Sequence, residues 1–259
     1  MTEDEVLTET LCEGVAQIRI NRPERMNALS FDCSLRLREV LQGVISAKAR
    51  VLLIRGQGRG FCAGADLKER RTMDAQKRAE HNRVINEFIN DLANAPMPTV
   101  AVINGAALGG GCEIALACDM RIAAEEATIG LTETRIGVIP GAGGTQRLPR
   151  VIGCALALEL MMTGEPVSGA RAAQIGLVNH VVPLAQLDTR ALELAKVLAA
   201  RSPLGLREVK SLVYAGLSLP LREGLLRERE SLVRVLVSDD YAEGLAAFAE
   251  RRAPRFTGR

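Results

Sequence analysis

The sequence predicts an α/β protein with a helical C-terminal region, on three observations. Short apolar runs closed by glycine alternate with amphipathic stretches along most of the chain. Strand signals stop near residue 188, and the segment "LREGLLRERESLVRVLVSDDYAEGLAAFAERR" that follows is helical throughout. The composition, 47% hydrophobic and 25% charged, is that of an ordinary globular protein, and no stretch approaches the ~20 apolar residues that span a bilayer.

The elements follow in order. "LCEGVAQIRINRP" reads as a hairpin turning at Glu13-Gly14, with Ala16, Ile18 and Ile20 inward and Gln17 and Arg19 outward. Ser30 is placed to cap a helix whose stripe is Leu37, Val40, Leu41, Val44 and Ile45. "RVLLIRG" (50–56) has the apolar character of a buried parallel strand. A second amphipathic helix, 77–94, carries Val84, Ile85, Phe88, Ile89 and Leu92 on one face and His81 on its polar side. The prolines of "APMPTVAVING" (95–105) stop that helix before another buried strand. A helix at 109–118, strands near 120–130, helices around 153–162 and 168–175, and a strand in "GLVNHVVP" (176–183) complete the alternation.

Charge and cysteines exclude several functions. A net charge of +2, with arginines scattered along the chain, gives no electrostatic footprint for nucleic acid or an anionic membrane. Cys12, Cys33, Cys62, Cys112, Cys118 and Cys154 form no C-x-x-C pair and are expected to pack as small hydrophobes. With "MTEDEVLTET" at the start, the expected compartment is the reduced cytoplasm. His81 and His180 read as structural, with no G-x-S-x-G element beside them.

Three glycine-bearing segments carry the candidate chemistry. In "ALGGGCEIALACD" (107–119) three glycines precede an apolar helix, and Glu113 follows Gly110 by about one turn. Bare N–H groups at a helix N-terminus suit a polarised oxygen, although close packing against a strand would also select glycine. "GRGFCAGADLKE" (58–69) is a second bare segment just after a buried strand, where open α/β sheets bind ligands. Together the two suit either an oxyanion hole or a phosphate nest. "GLTETRIGVIPGAGGTQRLPR" (130–150) adds Glu133 and a glycine–proline loop. Alone, Glu133 reads as a solvated carboxylate; beside Glu113 it completes an acid/base pair.

These blocks, with "INRPERMNALS" and "EGLAAFAERRAPRF" near the ends, resemble the enoyl-CoA hydratase/isomerase (crotonase) family over essentially the whole chain. The resemblance implies a crotonase-like spiral of ββα units, 1–198, carrying an acyl-CoA site, and a helical trimerisation region, 199–259. It implies an oxyanion hole from the amides of Ala65 and Gly110, with Glu113 and Glu133 as catalytic carboxylates. It places coenzyme A along Arg25, Met26, Ala28, Ala63, Asp66, Leu67, Lys68, Pro140 and Gly141. The implied partner is an acyl-CoA thioester, with no metal or redox cofactor, and the implied assembly is a homotrimer or a hexamer. Leu225, Leu226, Leu232, Val235 and Leu236 then belong to that interface or to ordinary core.

The implied activity is hydration of a 2-enoyl-CoA to a 3-hydroxyacyl-CoA. Hydration of methylglutaconyl-CoA is the alternative within the same branch, and double-bond isomerisation, which needs one carboxylate, the alternative within the family. Two other classes fare worse. A dinucleotide site needs G-x-G-x-x-G after the first strand, and "INRPERMNA" lacks it. RNA binding, shown by some relatives of the branch, would need more than Arg36 and Arg38 alternating with Glu39 on the first helix.

Overall fold

A computed structural model describes residues 4–259. β1 (Val6–Cys12) turns at Gly14 into β2 (Val15–Ile20), paired antiparallel with Thr8 opposite Ile18. α1 (Phe31–Ser46) begins where Ser30 Oγ accepts the Cys33 N–H at 3.0 Å, and it returns the chain to β3 (Val51–Gly56), parallel to β2. The short α2 (Leu67–Arg70) and long α3 (Ala75–Ala93) lead to β4 (Thr99–Ile103), parallel to β3. β5 (Ala107–Leu108), α4 (Gly110–Ala117), β6 (Met120–Ala124) and β7 (Thr128–Gly130) follow. Next come α5 (Gly144–Ile152), α6 (Cys154–Thr163), β8 (Val167–Ser168), α7 (Gly169–Gln174) and β9 (His180–Val182). The C-terminal region holds α8 (Leu187–Ala199), α9 (Pro203–Gly216), α10 (Leu221–Leu236) and α11 (Asp239–Glu250).

The main sheet runs β1-β2-β3-β4-β6-β9, parallel from β2 onward. Its inner strands are covered on both faces, which is why they are apolar runs and not alternations. β2 corrects the expected alternation for this reason: Gln17 is buried along with Ala16 and Ile18.

A second layer of short pairings crosses the first. Leu29 bridges Ala65, Cys62 bridges Ala107, β5 pairs with β7, and β7 with β8. Main strand, short cross-strand and helix thus recur: β3 with residues 62–65 and α3, β4 with β5 and α4, β6 with β7 and α5. This is the spiral of ββα turns, and it stacks the loop after each main strand upon the next.

The stacking is close. A side chain at Gly111 would place its Cβ 2.0 Å from the Cys62 carbonyl oxygen, well inside van der Waals contact. Gly111→Ala is therefore expected to cost about 1–3 kcal/mol, seen as a Tm lowered by about 2–4 °C for each of those kcal/mol. An unchanged Tm would show that the two loops have room to part.

Three expectations need correction. Cys154 is exposed and does not pack as expected, whereas Cys33, Cys62, Cys112 and Cys118 lie in the core and half-buried Cys12 packs against it. His81 is not on the polar side of its helix; it is fully buried, one turn before Val84 and Ile85 on the same stripe. Leu225, Leu226, Leu232 and Leu236 are exposed on this chain, which removes ordinary core as their explanation; Val235 is half-buried. His180, on β9, lies 3.3 Å from Arg190. Among the described residues no helix is long and apolar enough to cross a membrane. Arg38 is engaged by Glu87 and Asp91, and Arg36 by Glu39, so α1 offers no bare basic row for RNA.

Candidate active site

The spiral brings the three predicted segments around one cavity of about 510 Å³. Its walls include Ala63, Gly64 and Ala65 after β3, Gly109, Gly110 and Glu113 at the start of α4, and Thr132 and Glu133 after β7. Asn82 and Ile85 of α3 close one side, and Ile136, Val138 and Ile139 form an exposed apolar rim.

The two predicted donor amides lie together. A Cβ on Gly110 would sit 3.5 Å from Gly64 Cα and 3.7 Å from the Ala65 nitrogen. The neighbouring amides are spoken for: Asp66 donates to Leu29 O at 2.9 Å, and Gly109 to Gly130 O at 2.9 Å. The Ala65 and Gly110 N–H groups have no protein acceptor among the described residues. Gly110 is the first residue of α4, so its N–H is one that no helix can satisfy internally, and it stands at the positive end of the helix dipole.

Glu113 lies on the inward face of α4 and is only 3% exposed. Its Oε1 accepts the N–H groups of Ala142 at 2.6 Å and Gly144 at 2.9 Å, which leaves Oε2 for the cavity. Gly143 lies between these donors at φ +101°, a left-handed conformation that suits glycine and turns both amides toward one anion. Burial pushes the Glu113 carboxyl up, opposed by the two amides and by Arg147 and Arg70. The donor loop is itself anchored: Asn86 Nδ2 donates to Gly141 O at 2.7 Å, and Arg147 to Ala142 O at 3.0 Å.

Glu133 opens a single 3-10 turn, Glu133–Ile136, and its carboxylate packs against Gly109. Its Oε2 is buried without a hydrogen-bond partner. Burial is the main cause that raises its pKa to about 7; its own backbone N–H opposes, and the charge of Glu113 adds to the rise. It is not the solvated carboxylate that a lone glutamate suggests. Two carboxyl groups thus face one small volume, Glu113 anchored by amides and Glu133 half protonated near neutrality.

The remaining predicted residues divide. Ala63, Leu67 and Gly141 line the cavity with the four discussed. Arg25 and Lys68 are exposed, and Ala28 and Pro140 buried outside the cavity lining. Asp66 is turned inward. It caps α2 through the N–H groups of Lys68 and Glu69 and pairs with Arg22 at 3.3 Å, so its side chain serves the fold. Met26 takes φ 53° and accepts the Ala63 N–H at 3.0 Å, tying the two loops together.

Sequence reasoning missed Asn27, Arg70, Asn82 and Arg147. Asn27 is fully buried at φ 56°, and its amide donates to Gln57 O at 2.9 Å and Gly60 O at 2.7 Å. It fastens the first loop to the one that carries Ala65. Only its place in "RPERMNALS" could have marked it, as a residue suited to a left-handed turn. Arg70, Asn82 and Arg147 gain their meaning from tertiary neighbours and leave no local signal.

Comparison with known proteins agrees along the whole chain. The model of the family described as Enoyl-CoA hydratase/isomerase matches residues 10–259. The mitochondrial methylglutaconyl-CoA hydratase of Mus musculus is 41% identical over 266 residues, 99% of this chain and 85% of the relative. The mitochondrial enoyl-CoA hydratase domain-containing protein 2 of Homo sapiens is 42% identical over 253 residues, 95% of this chain and 87% of the relative. The crystal structure of an enoyl-CoA hydratase from Bacillus anthracis superposes with a TM-score of 0.96 at 40% identity, covering 99% of this chain and 100% of that one.

Proposed function

The chain belongs to the enoyl-CoA hydratase/isomerase family, and from that premise we propose that it adds water across the double bond of a 2-enoyl-CoA thioester. One observation carries the reading: two unpartnered amides and two buried carboxyl groups converge on the same cavity.

The chemistry follows from those groups. Glu113 Oε2 takes a proton from water, and the hydroxide oxygen bonds to Cβ of the enoyl group. The displaced π electrons move to the thioester oxygen as an enolate, which the amides of Ala65 and Gly110 hold. The enolate then collapses, and Cα takes the proton of Glu133. A proton passing from Glu113 to Glu133 through solvent restores the starting state. No step asks for a metal or redox group, because the amides carry the developing charge. With Glu113 and Glu133 both present, water activation and Cα protonation each have a carboxyl group, which favours hydration over isomerisation.

Coenzyme A is the handle of the substrate. The reading keeps Arg25, Met26, Ala28, Ala63, Asp66, Leu67, Lys68, Pro140 and Gly141 along it, Asp66 now through its main chain. Self-association as a trimer or hexamer, through the region 199–259, would cover the exposed leucines of α10. Six unpaired cysteines fit a reducing compartment, for which we keep the cytoplasm.

The test is loss of the conjugated enoyl absorbance of crotonyl-CoA on mixing with purified protein. Turnover is expected, and its absence at high enzyme concentration would end this reading. A second reading, methylglutaconyl-CoA as the physiological substrate, is favoured by the 41% identity to the mouse enzyme of that name. Relative kcat/KM on the two thioesters decides between them.

The pH profile has a defined sign. Glu133 must carry a proton to deliver one, and burial raises its pKa to about 7. On the alkaline side activity is therefore lost above that value, about tenfold in kcat/KM per pH unit, while the acid side is set by protonation of Glu113, which burial also raises. The midpoint belongs to the coupled pair, so it should shift when Glu113 is neutralised. A profile flat from pH 6 to 9 would remove Glu133 as the acid.

A further inference from the structure

The cavity wall holds one cation to which the fold gives no carboxylate partner and the proposed chemistry gives no bond-making step. Arg70, the last residue of α2, lines the same wall as Leu67 and faces the space shared by Glu113 and Glu133. Three other arginines drawn inward are satisfied. Arg121 donates to the carbonyls of Leu177, Ala115 and Cys118, Arg147 to Ala142 O and Asn90, and Arg22 pairs with Glu5 and Asp66. Arg70 makes no ion pair among the described residues. Its sole side-chain partner is an imidazole nitrogen, with Nε 3.5 Å from His81 Nδ1.

His81 explains how Arg70 is held. The ring is fully buried, and burial, followed by the charge of Arg70, keeps it neutral. A neutral ring that accepts at Nδ1 engages Nε and leaves the Nη1–Nη2 fork without a partner. A guanidinium fork matches a carboxylate in two parallel bonds, and a half-buried one left single is costly.

Any substrate group that reached Arg70 would belong to the acyl part. Glu113 and Glu69 are the acids whose charge Arg70 feels, and Glu113 is the base of the proposed reaction. The phosphates of coenzyme A are a whole pantetheine arm away from the thioester, so a cation beside Glu113 does not serve them. Glu113 is an unsuitable partner too, since its Oε1 already accepts two amides and Oε2 is wanted by water.

We propose that Arg70 is a specificity-determining residue that pairs with a carboxylate at the far end of the acyl chain, so that the preferred substrates are dicarboxylic 2-enoyl-CoA thioesters. The proposal rests on the hydratase reading and supplies, within the cavity, a reason for its carboxylated variant.

Binding and turnover test the two separately. Glutaryl-CoA and butyryl-CoA are saturated, cannot be hydrated, and differ in the terminal carboxylate; titration calorimetry compares them. Wild-type protein is expected to bind glutaryl-CoA about 10–100-fold more tightly, the range for a hydrogen-bonded charged pair. Arg70→Gln should remove that preference while moving butyryl-CoA affinity less than about 3-fold. Arg70→Lys, a point charge without the fork, should keep a reduced preference. Turnover of glutaconyl-CoA over crotonyl-CoA should follow the same order. Equal binding of the two analogues by the wild type, which needs no variant to fold, overturns the proposal. So does an Arg70→Gln protein that weakens both alike, for Arg70 then serves the electrostatics of Glu113. Failure to hydrate either enoyl thioester, with the binding preference intact, counts against the hydratase reading alone.

Discussion

Glu113→Gln is expected to lower kcat for crotonyl-CoA hydration by about 10²–10⁴-fold, the usual contribution of a positioned general base, without loss of the fold. The geometry makes this substitution clean. The glutamine carbonyl can take the place of Oε1 and keep the N–H groups of Ala142 and Gly144 satisfied. Its NH2 group then faces the cavity, where it can donate to a water but cannot take a proton from one. Glu113→Ala is a poorer probe, because it strands two buried amides at about 1–3 kcal/mol each. Glu133→Gln tests the other half of the pair. Glu133 Oε2 has no partner to lose, so that protein should unfold no earlier than wild type while losing the Cα proton donor. Initial rates beside thermal unfolding curves check both. A Glu113→Gln protein with wild-type turnover would strip Glu113 of its role.

What the sequence could disclose depended on how local the cause was. The stripe of α3, from Val84 to Leu92, and the runs of β3 and β4 were readable because burial on one or both faces writes a period into the chain. The same period, followed back one turn, would have put His81 inside; its polar ring argued against its spacing, and spacing won. α5 was hidden for the opposite reason. It opens at Gly144 in a glycine–proline loop and contains Pro149, so its residues carry breaker signals that tertiary packing overrides. Cross-strands of two or three residues, β5 and β8, are too short to show any alternation.

The site follows the same rule. Gly110 and Glu113 were legible because one turn of helix relates them, and Glu133 because a family pattern pointed to it. The buried surroundings of Glu133, the amide pair on Glu113 and the single cation at Arg70 depend on which loop is stacked on which. That is fixed by approaches such as Gly111 against Cys62 O, and no window of sequence contains both.

The amide hypothesis can be tested by removing an amide. Gly110→Pro deletes one of the two donors at the position in a helix where proline does least harm. The N–H lost has no partner within α4, so no helical hydrogen bond goes with it. Space allows the change: a Cβ there meets Gly64 Cα and Leu29 Cδ1 at 3.5 Å, ordinary contact, and Gly109 before it has no Cβ to clash with the ring. Loss of one preorganised donor to an oxyanion typically costs about 10²–10³-fold in kcat, or about 2.7–4 kcal/mol. The ring also adds bulk at the cavity wall, so Gly110→Ala is the control, a side chain with the N–H retained. Gly110→Ala is expected within about tenfold of wild type and Gly110→Pro a further hundredfold or more below it. The comparison removes the contribution of a Cβ, which both variants carry, and leaves the exchange of the amide hydrogen for the ring methylenes. Equal losses in the pair would mean that bulk, not the missing donor, slows the reaction, and the enolate would then have to be held by Ala65 without help from α4.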